Sequence, residues 1–273
     1  MLTQQEVTDF QEEVWRQGRE LYRPMPWREN TNPYFVLVSE IMLQQTQVDR
    51  VVPKFEAFIA TFPSISELAE APLSKVLELW SGLGYNRRAK FLHEAAKKIT
   101  TEFNGVFPET EKELISLPGV GVNTAGAILA YSFNHPSIFI ETNVRTVYFY
   151  HFFQHDNDVT DTTLKEYIVA TLDAEHPREW YWAIMDYGSH LKRSGVGANN
   201  KSRHYKKQTP LKGSVREVRG SILKELTRAE NHALSIPQLE MLFLGDPRFV
   251  LAFDGLKKDG LVYIEKDTIY LAR

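Results

Sequence analysis

Apolar positions recur at helical spacing over most of residues 1–190. In TDFQEEVWRQGRELY, Phe10, Val14 and Leu21 fall near one face, with Thr8 as candidate N-cap and Pro24 and Pro26 as the stop. Pro33 opens a second segment, PYFVLVSEIMLQQTQVDRVV. The same spacing predicts helices over 53–61, 64–70, 72–80, 85–103, 110–116, 123–133, 162–174 and 177–191, with Ser64, Ser74 and Thr110 as caps. Many short helices and few strand signals predict an all-α body. After the linker SGVGANNKSRHYKKQTPLKG the texture changes. VREVRGSILKELTRA, PQLEMLFL and RFVLAFDGLKKDG read as three helices. LVYIEKDTIYLAR alternates like two strands about Lys266-Asp267, which suggests a small winged-helix-like domain.

Composition narrows the class. The chain has no cysteine, which excludes disulfides, thiolate zinc sites and thiolate-held iron–sulfur clusters. No apolar run is long enough to span a membrane. The segment MLTQQEVTDF lacks a basic flank and an apolar core, which argues against secretion and for the cytoplasm. Net charge is −3, yet residues 189–220 carry nine basic side chains and one acid, Glu217. Such a strip is the footprint of a phosphate-binding surface; a solvated linker is the other reading.

Four motifs occur in order: SEIMLQQTQV (39–48), WSGLGYNRRA (80–89), LPGVGVNTAGAIL (117–129) and IETNVRTV (140–147). With Trp27-Arg28 and MDYG (185–188), they resemble the helix-hairpin-helix DNA glycosylases, most of all the MutY-type adenine DNA glycosylases. The resemblance covers roughly residues 20–190. It implies an all-α, two-lobed body, with a lobe of terminal helices (1–28 plus 134–193) and a six-helix lobe (29–133) holding the helix-hairpin-helix at 111–130. A basic linker (194–213) and the winged-helix-like domain (214–273) would follow. It also implies nucleoid-associated action on double-stranded DNA carrying a mispaired or damaged base, extrusion of that base, and its excision, by a monomer that needs no cofactor. Carbonyls of Ile115, Leu117 and Val120 would hold a monovalent cation, potassium or sodium, beside a phosphate.

Four departures stand out. The family's cluster cysteines are missing, and the winged helix stands where longer relatives read 8-oxoguanine. Glu141 replaces the family's Asp, and Asn123 takes the position of a lysine in lyases and usually of Ser or Tyr in adenine enzymes.

Breaking an N-glycosidic bond requires protonation of the leaving base and negative charge near the sugar, which two carboxylates can supply. Glu40 is the candidate acid. Val36, Leu37 and Leu43 lie at −4, −3 and +3 from it, so it sits on or beside an apolar stripe that should raise its pKa. A Glu at the stripe's edge paired with a cation is the plainer alternative. Glu141 is the candidate partner of the sugar cation, its alternative being a helix cap, with Asp186 in reserve.

The resemblance assigns Trp27 and Arg28 to the base pocket, and Asn123 to its mouth. Gln44, Gln45, Thr46, Leu83 and Tyr85 would probe the opened stack. The turn Gly119-Val120-Gly121 would present backbone N–H groups to a phosphate, and Lys201, Arg203, Lys206 and Lys207 would contact others. WYW (180–182) and FYHFF (149–153) read as core.

The expected activity is that of a monofunctional DNA glycosylase removing adenine opposite 8-oxoguanine or guanine, without strong lyase activity. The alternatives are a glycosylase for thymine or uracil opposite guanine or for hypoxanthine, and a catalytically silent DNA-binding regulator.

Overall fold

A computed structural model describes residues 2–156, 158–196 and 210–272. These form two compact units, the first from residues 2–40, 109–116, 120–156 and 158–196, the second from 41–108, 117–119 and 210–272.

The first unit is helical. α1 (Gln4–Leu21) starts at a capping box between Thr3 and Glu6. The cap is therefore Thr3, and Thr8 lies inside the helix, where its hydroxyl donates to the Gln4 carbonyl. α2 (Pro26–Glu29) is a single turn, and α3 (Pro33–Leu43) leaves the unit after Glu40. α8 (Glu111–Ile115), α9 (Val122–Phe133), α10 (Thr142–Phe152), α11 (Asp161–Thr171) and α12 (Pro177–Arg193) complete the unit.

Phe10 of α1 packs against Tyr148 of α10 and Trp180 of α12, at ring separations of 5.1 and 6.1 Å. Tyr148 is fully buried; of the segments read as core, Trp180, Tyr181 and Phe149 are fully buried and Phe153 is buried, whereas Tyr150, His151, Phe152 and Trp182 are half-buried. α12 meets the start of α10 at Gly188. A Cβ there would lie 2.5 Å from the Asn143 carbonyl oxygen, so only glycine permits this approach.

The second unit takes the end of α3 with α4 (Val48–Thr61), α5 (Ile65–Glu70), α6 (Leu73–Trp80) and α7 (Arg87–Glu102). The apolar segment after Pro33 is thus two helices. Gln45 between them has φ 57°, a left-handed value that stops a helix. Arg88 of α7, 7% exposed, explains the break. Its guanidinium donates to the carbonyls of Ile41, Met42 and Gln44 at 2.7–2.9 Å, groups that the end of α3 leaves without a helical partner. Burial pulls Arg88 down to about 10, so it stays charged at neutral pH. Ser64 and Thr110 are caps as expected, whereas α6 is capped by Pro72 and holds Ser74 inside.

The same unit carries α13 (Val215–Arg228), β1 (Ala233–Ser235), α14 (Ile236–Leu242), α15 (Phe249–Lys258), β2 (Val262–Glu265) and β3 (Thr268–Leu271). The sheet is antiparallel in the order β1-β3-β2, with Ile269 of β3 opposite both Leu234 and Ile264. β1 escapes the sequence reading because three residues are too few to show a period; its pairing comes from β3. Asp259 fixes this winged-helix-like part. Its carboxylate is bound by Arg219 and Arg87, and its carbonyl accepts from Lys90 of α7 at 2.9 Å.

No helix among the described residues is long and apolar enough to cross a membrane.

Candidate active site

Glu40 is half-buried near the end of α3, one turn beyond Val36 and Leu37, which are buried. Its carboxyl is held well above the usual carboxylate range, first by burial and then by the charge of Glu141. Glu141 is the residue before α10, and its side chain makes no capping hydrogen bond. Burial also raises Glu141, against the pull of Lys192 from the last turn of α12. Burial thus lifts both groups, although Glu141 stands at the N-terminus of a helix, and Lys192 is the cation that opposes the rise on the Glu141 side. Lys192 is itself lowered, by burial and then by Arg23, against the opposing influence of Glu141.

Tyr131 of α9, 8% exposed, completes this centre. Burial and then the charges of Glu40 and Glu141 push its hydroxyl far up, so it remains a neutral donor. Nothing in the spacing of AGAILAYSF marks Tyr131 as chemical. Asn143, two residues after Glu141, has a buried Oδ1 with no hydrogen-bond partner, while its Nδ2 contacts the Met185 sulfur at 3.6 Å. A buried acceptor of this kind is able to take a hydrogen bond from a hydroxyl or a water.

The remaining predicted residues divide. Trp27 and Arg28 are both 7% exposed. Arg28 donates to Asp186 at 2.6 and 3.2 Å and lies over the rings of Tyr22 and Trp182. Asp186 is thereby committed, and Arg23 binds it as well, so it does not serve as a reserve carboxylate. Asn123 is exposed in the first turn of α9. Its Nδ2 donates to the Ile140 carbonyl at 2.9 Å, and its Oδ1 accepts from the Ile140 N–H at 3.1 Å. This clasp fixes the residue that precedes Glu141. Asn123→Ala is expected to lower excision about 10- to 100-fold while mispair binding and melting temperature hold, because it loosens the geometry of Glu141. Single-turnover rates beside binding isotherms check this.

The hairpin turn needs glycine at one place above all. Gly119 has φ 78°, and a Cβ there would lie 2.8 Å from the Cβ of Phe91. Gly121 caps α9 in an extended conformation, with open space where a Cβ would stand. Val120 and Leu117 are buried and Ile115 is exposed. Among the described residues no cluster of three His, Asp or Glu forms a metal site.

Gln44, Gln45, Leu83 and Tyr85 line a cavity in the second unit; Thr46 is tied to Arg88 at 3.1 Å. Leu83 is 4% exposed, so it reaches that cavity from the core. Lys201, Arg203, Lys206 and Lys207 lie outside the described residues.

Fold and site define a helix-hairpin-helix protein with a paired-carboxylate centre. Residues 38–169 match the HhH-GPD superfamily of base excision DNA repair proteins. The adenine DNA glycosylase of Mycolicibacterium smegmatis is 32% identical over 88% of this chain and 88% of its own length. That of Buchnera aphidicola subsp. Baizongia pistaciae is 35% identical over 81% of this chain, which spans 62% of that relative's length. The solved structure of a thermostable thymine-DNA glycosylase superposes with a TM-score of 0.61 at 22% identity, covering 68% of this chain and 87% of the other. The chain belongs to the HhH-GPD superfamily, in the family of the adenine DNA glycosylases.

Proposed function

We infer that this chain is a monofunctional DNA glycosylase of base excision repair, hydrolysing the N-glycosidic bond of a flipped-out adenine opposite 8-oxoguanine or guanine. The observation that carries this reading is the pair Glu40 and Glu141. One carboxyl holds its proton well above the usual range; the other lies beside the amine of Lys192. Glu40 delivers its proton to a ring nitrogen of the leaving base, which departs neutral. Glu141 faces the cationic sugar until water adds at the anomeric carbon and gives its proton to the Glu40 carboxylate, which leaves the abasic product and restores the acid. Tyr131 and Asn143 are placed to orient the nucleotide or the water.

The DNA contacts belong to the same proposal. The N-terminus of α9, with the turn Gly119–Gly121, takes a phosphate next to the flipped nucleotide, and the carbonyls of Ile115, Leu117 and Val120 take a monovalent cation. Lys201, Arg203, Lys206 and Lys207 take further phosphates, and Trp27 walls the base. The working form is a monomer on the nucleoid in the cytoplasm.

A panel of duplexes, each with one mispair, cleaved by alkali after incubation, tests the reaction. Strand breaks are expected at adenine opposite 8-oxoguanine or guanine. Preferential breaks at thymine, uracil or hypoxanthine would move the substrate to that base, and none anywhere would leave a silent DNA-binding protein. Asn123 has no amine, so borohydride during turnover is expected to trap no covalent complex. Efficient trapping would overturn the monofunctional assignment, and Lys192, the amine beside Glu141, is where the adduct would be sought.

A further inference from the structure

In the winged-helix-like part, α13 and β1 are followed by α14 and α15, which stand as a helix-turn-helix pair before the β2–β3 hairpin. In DNA-binding proteins the second helix of such a pair reads the duplex, with polar side chains of its first turn on base edges. The first turn of α15 carries none. It begins Phe249-Val250-Leu251, and the chain leading into it holds Met241, Leu242 and Leu244. Arg248, just before it, is held by Asp246 and Glu217 at 2.7 and 2.9 Å. The core does not need these apolar side chains. Ala252 and Leu256, one turn apart, already fill the inward stripe of α15, and Leu239 does so for α14. Met241, Leu242, Leu244, Val250 and Leu251 are left between 55% and 86% exposed. Near-parallel rings of Phe243, Phe249 and Phe253, with centres 5.4 and 5.9 Å apart, fasten the turn to α15 beneath them.

Five such side chains present about 600 Å² of apolar surface, the upper end for an ordinary monomer. Two of these patches face to face remove about 1200 Å² from water, the lower bound of a standard interface. Charge points the same way. The ion pairs at the patch are closed within one copy, Asp246 with Arg248 and Asp254 with Lys257, each at 2.7 Å, so they do not repel a second. Glu240 precedes Met241, and Lys258 ends α15 about 10 Å beyond Leu251. Both are exposed, and neither side chain forms an ion pair with a described residue. A two-fold axis through the patch exchanges its ends, which brings Glu240 of each copy toward Lys258 of the other.

We propose that the apolar face formed by the α14–α15 turn and the outer side of α15 docks a second copy of this chain about a two-fold axis. The winged-helix-like part is then a pairing module and not a reader of DNA through α15. The interface is small, so the pairing is weak and reversible, with a Kd of about 10–100 µM. At the nanomolar concentrations of an excision assay the chain is single, as proposed above; the pair forms where copies are concentrated.

Sedimentation velocity of the full chain from about 1 to about 200 µM tests the pairing. The sedimentation coefficient is expected to rise from that of one chain toward that of two. Leu244→Glu with Leu251→Glu is expected to raise the Kd at least about tenfold, because each new charge meets its own copy. Glu240→Lys and Lys258→Glu are each expected to weaken pairing, and together to restore it. These exposed exchanges also serve if the first variant does not fold. Every variant is expected to keep parental excision at nanomolar concentration. A parent chain that stays single throughout would overturn the proposal. Pairing that survives Leu244→Glu with Leu251→Glu would overturn the assignment to this face, and exchanges that do not restore each other would overturn the two-fold arrangement. Leu244→Ala with Leu251→Ala adds no charge. If it lowers DNA affinity where the chain is single, α15 is a DNA contact and the pairing role falls.

Discussion

Glu40→Gln and Glu141→Gln are each expected to slow single-turnover excision by about 10²- to 10⁴-fold, the span of a lost acid or charge partner, with mispair binding near that of the parent. Glu40→Gln removes the proton that the base must take. Glu141→Gln removes the charge that the sugar cation must meet. The pH dependence has a definite sign. Glu40 holds its proton above the ordinary carboxylate range, so excision is expected to extend to higher pH than an ordinary carboxyl would allow and to decline on the alkaline side as that proton is lost.

The same shift bears on stability. A carboxyl whose pKa is raised on folding stabilises the folded state below its unfolded pKa, and that contribution is lost as pH rises through the folded value. At neutral pH the folded chain thus holds a carboxyl pair at a cost. Glu40→Gln is expected to melt higher than the parent at pH 7, with the gap narrowing below pH ~4.5, the unfolded range of Glu. A variant that loses excision and gains stability has the signature of a catalytic group kept against its own burial cost. Glu40→Gln with parental excision would refute the acid; Glu141→Gln with parental excision would refute the sugar partner.

What the sequence reveals and what it hides divide along physical lines. Glu40 is legible because a helical stripe flanks it with Val36, Leu37 and Leu43, and desolvation follows from periodicity. Glu141 is legible through the motif around it. Lys192 and Tyr131 are not, since their closeness to the carboxylates depends on how α12 and α9 pack. Gly188 permits the α12 approach, but a glycine in MDYG does not say what it meets. The turn after Leu43 was hidden too. QQTQ holds no Gly or Pro to mark a stop, and what fixes the end of the helix is Arg88, forty-odd positions along the chain. Asn123 shows both halves. Its lack of an amine is read from its identity, while its clasp on Ile140 needed the fold.

Asp186→Ala is expected to destabilise the chain by about 3–5 kcal/mol, the cost of breaking a buried ion pair by removing one partner. Asp186 is 1% exposed and accepts four hydrogen bonds: two from Arg28, one from the Arg23 side chain and one from the Arg23 backbone. The Arg28 side chain is itself only 4% exposed, so without Asp186 its charge has no water to turn to. Such a loss is a large part of an ordinary domain's stability of about 5–15 kcal/mol. Replacing both partners, Arg28→Leu with Asp186→Leu, removes the stranded charge as well as the pair. It is therefore expected to recover much of the stability that Asp186→Ala loses. Chemical denaturation of the parent, the single and the double variant measures the difference, and excision measured alongside separates the two roles of Arg28. If Arg28 only braces the fold, the double variant regains excision with stability. If Arg28 also walls the base pocket, stability returns and excision does not. A cost below about 1 kcal/mol for Asp186→Ala, the worth of a surface pair, would mean that the Arg28–Asp186 bridge is solvated and does not hold α2 to α12.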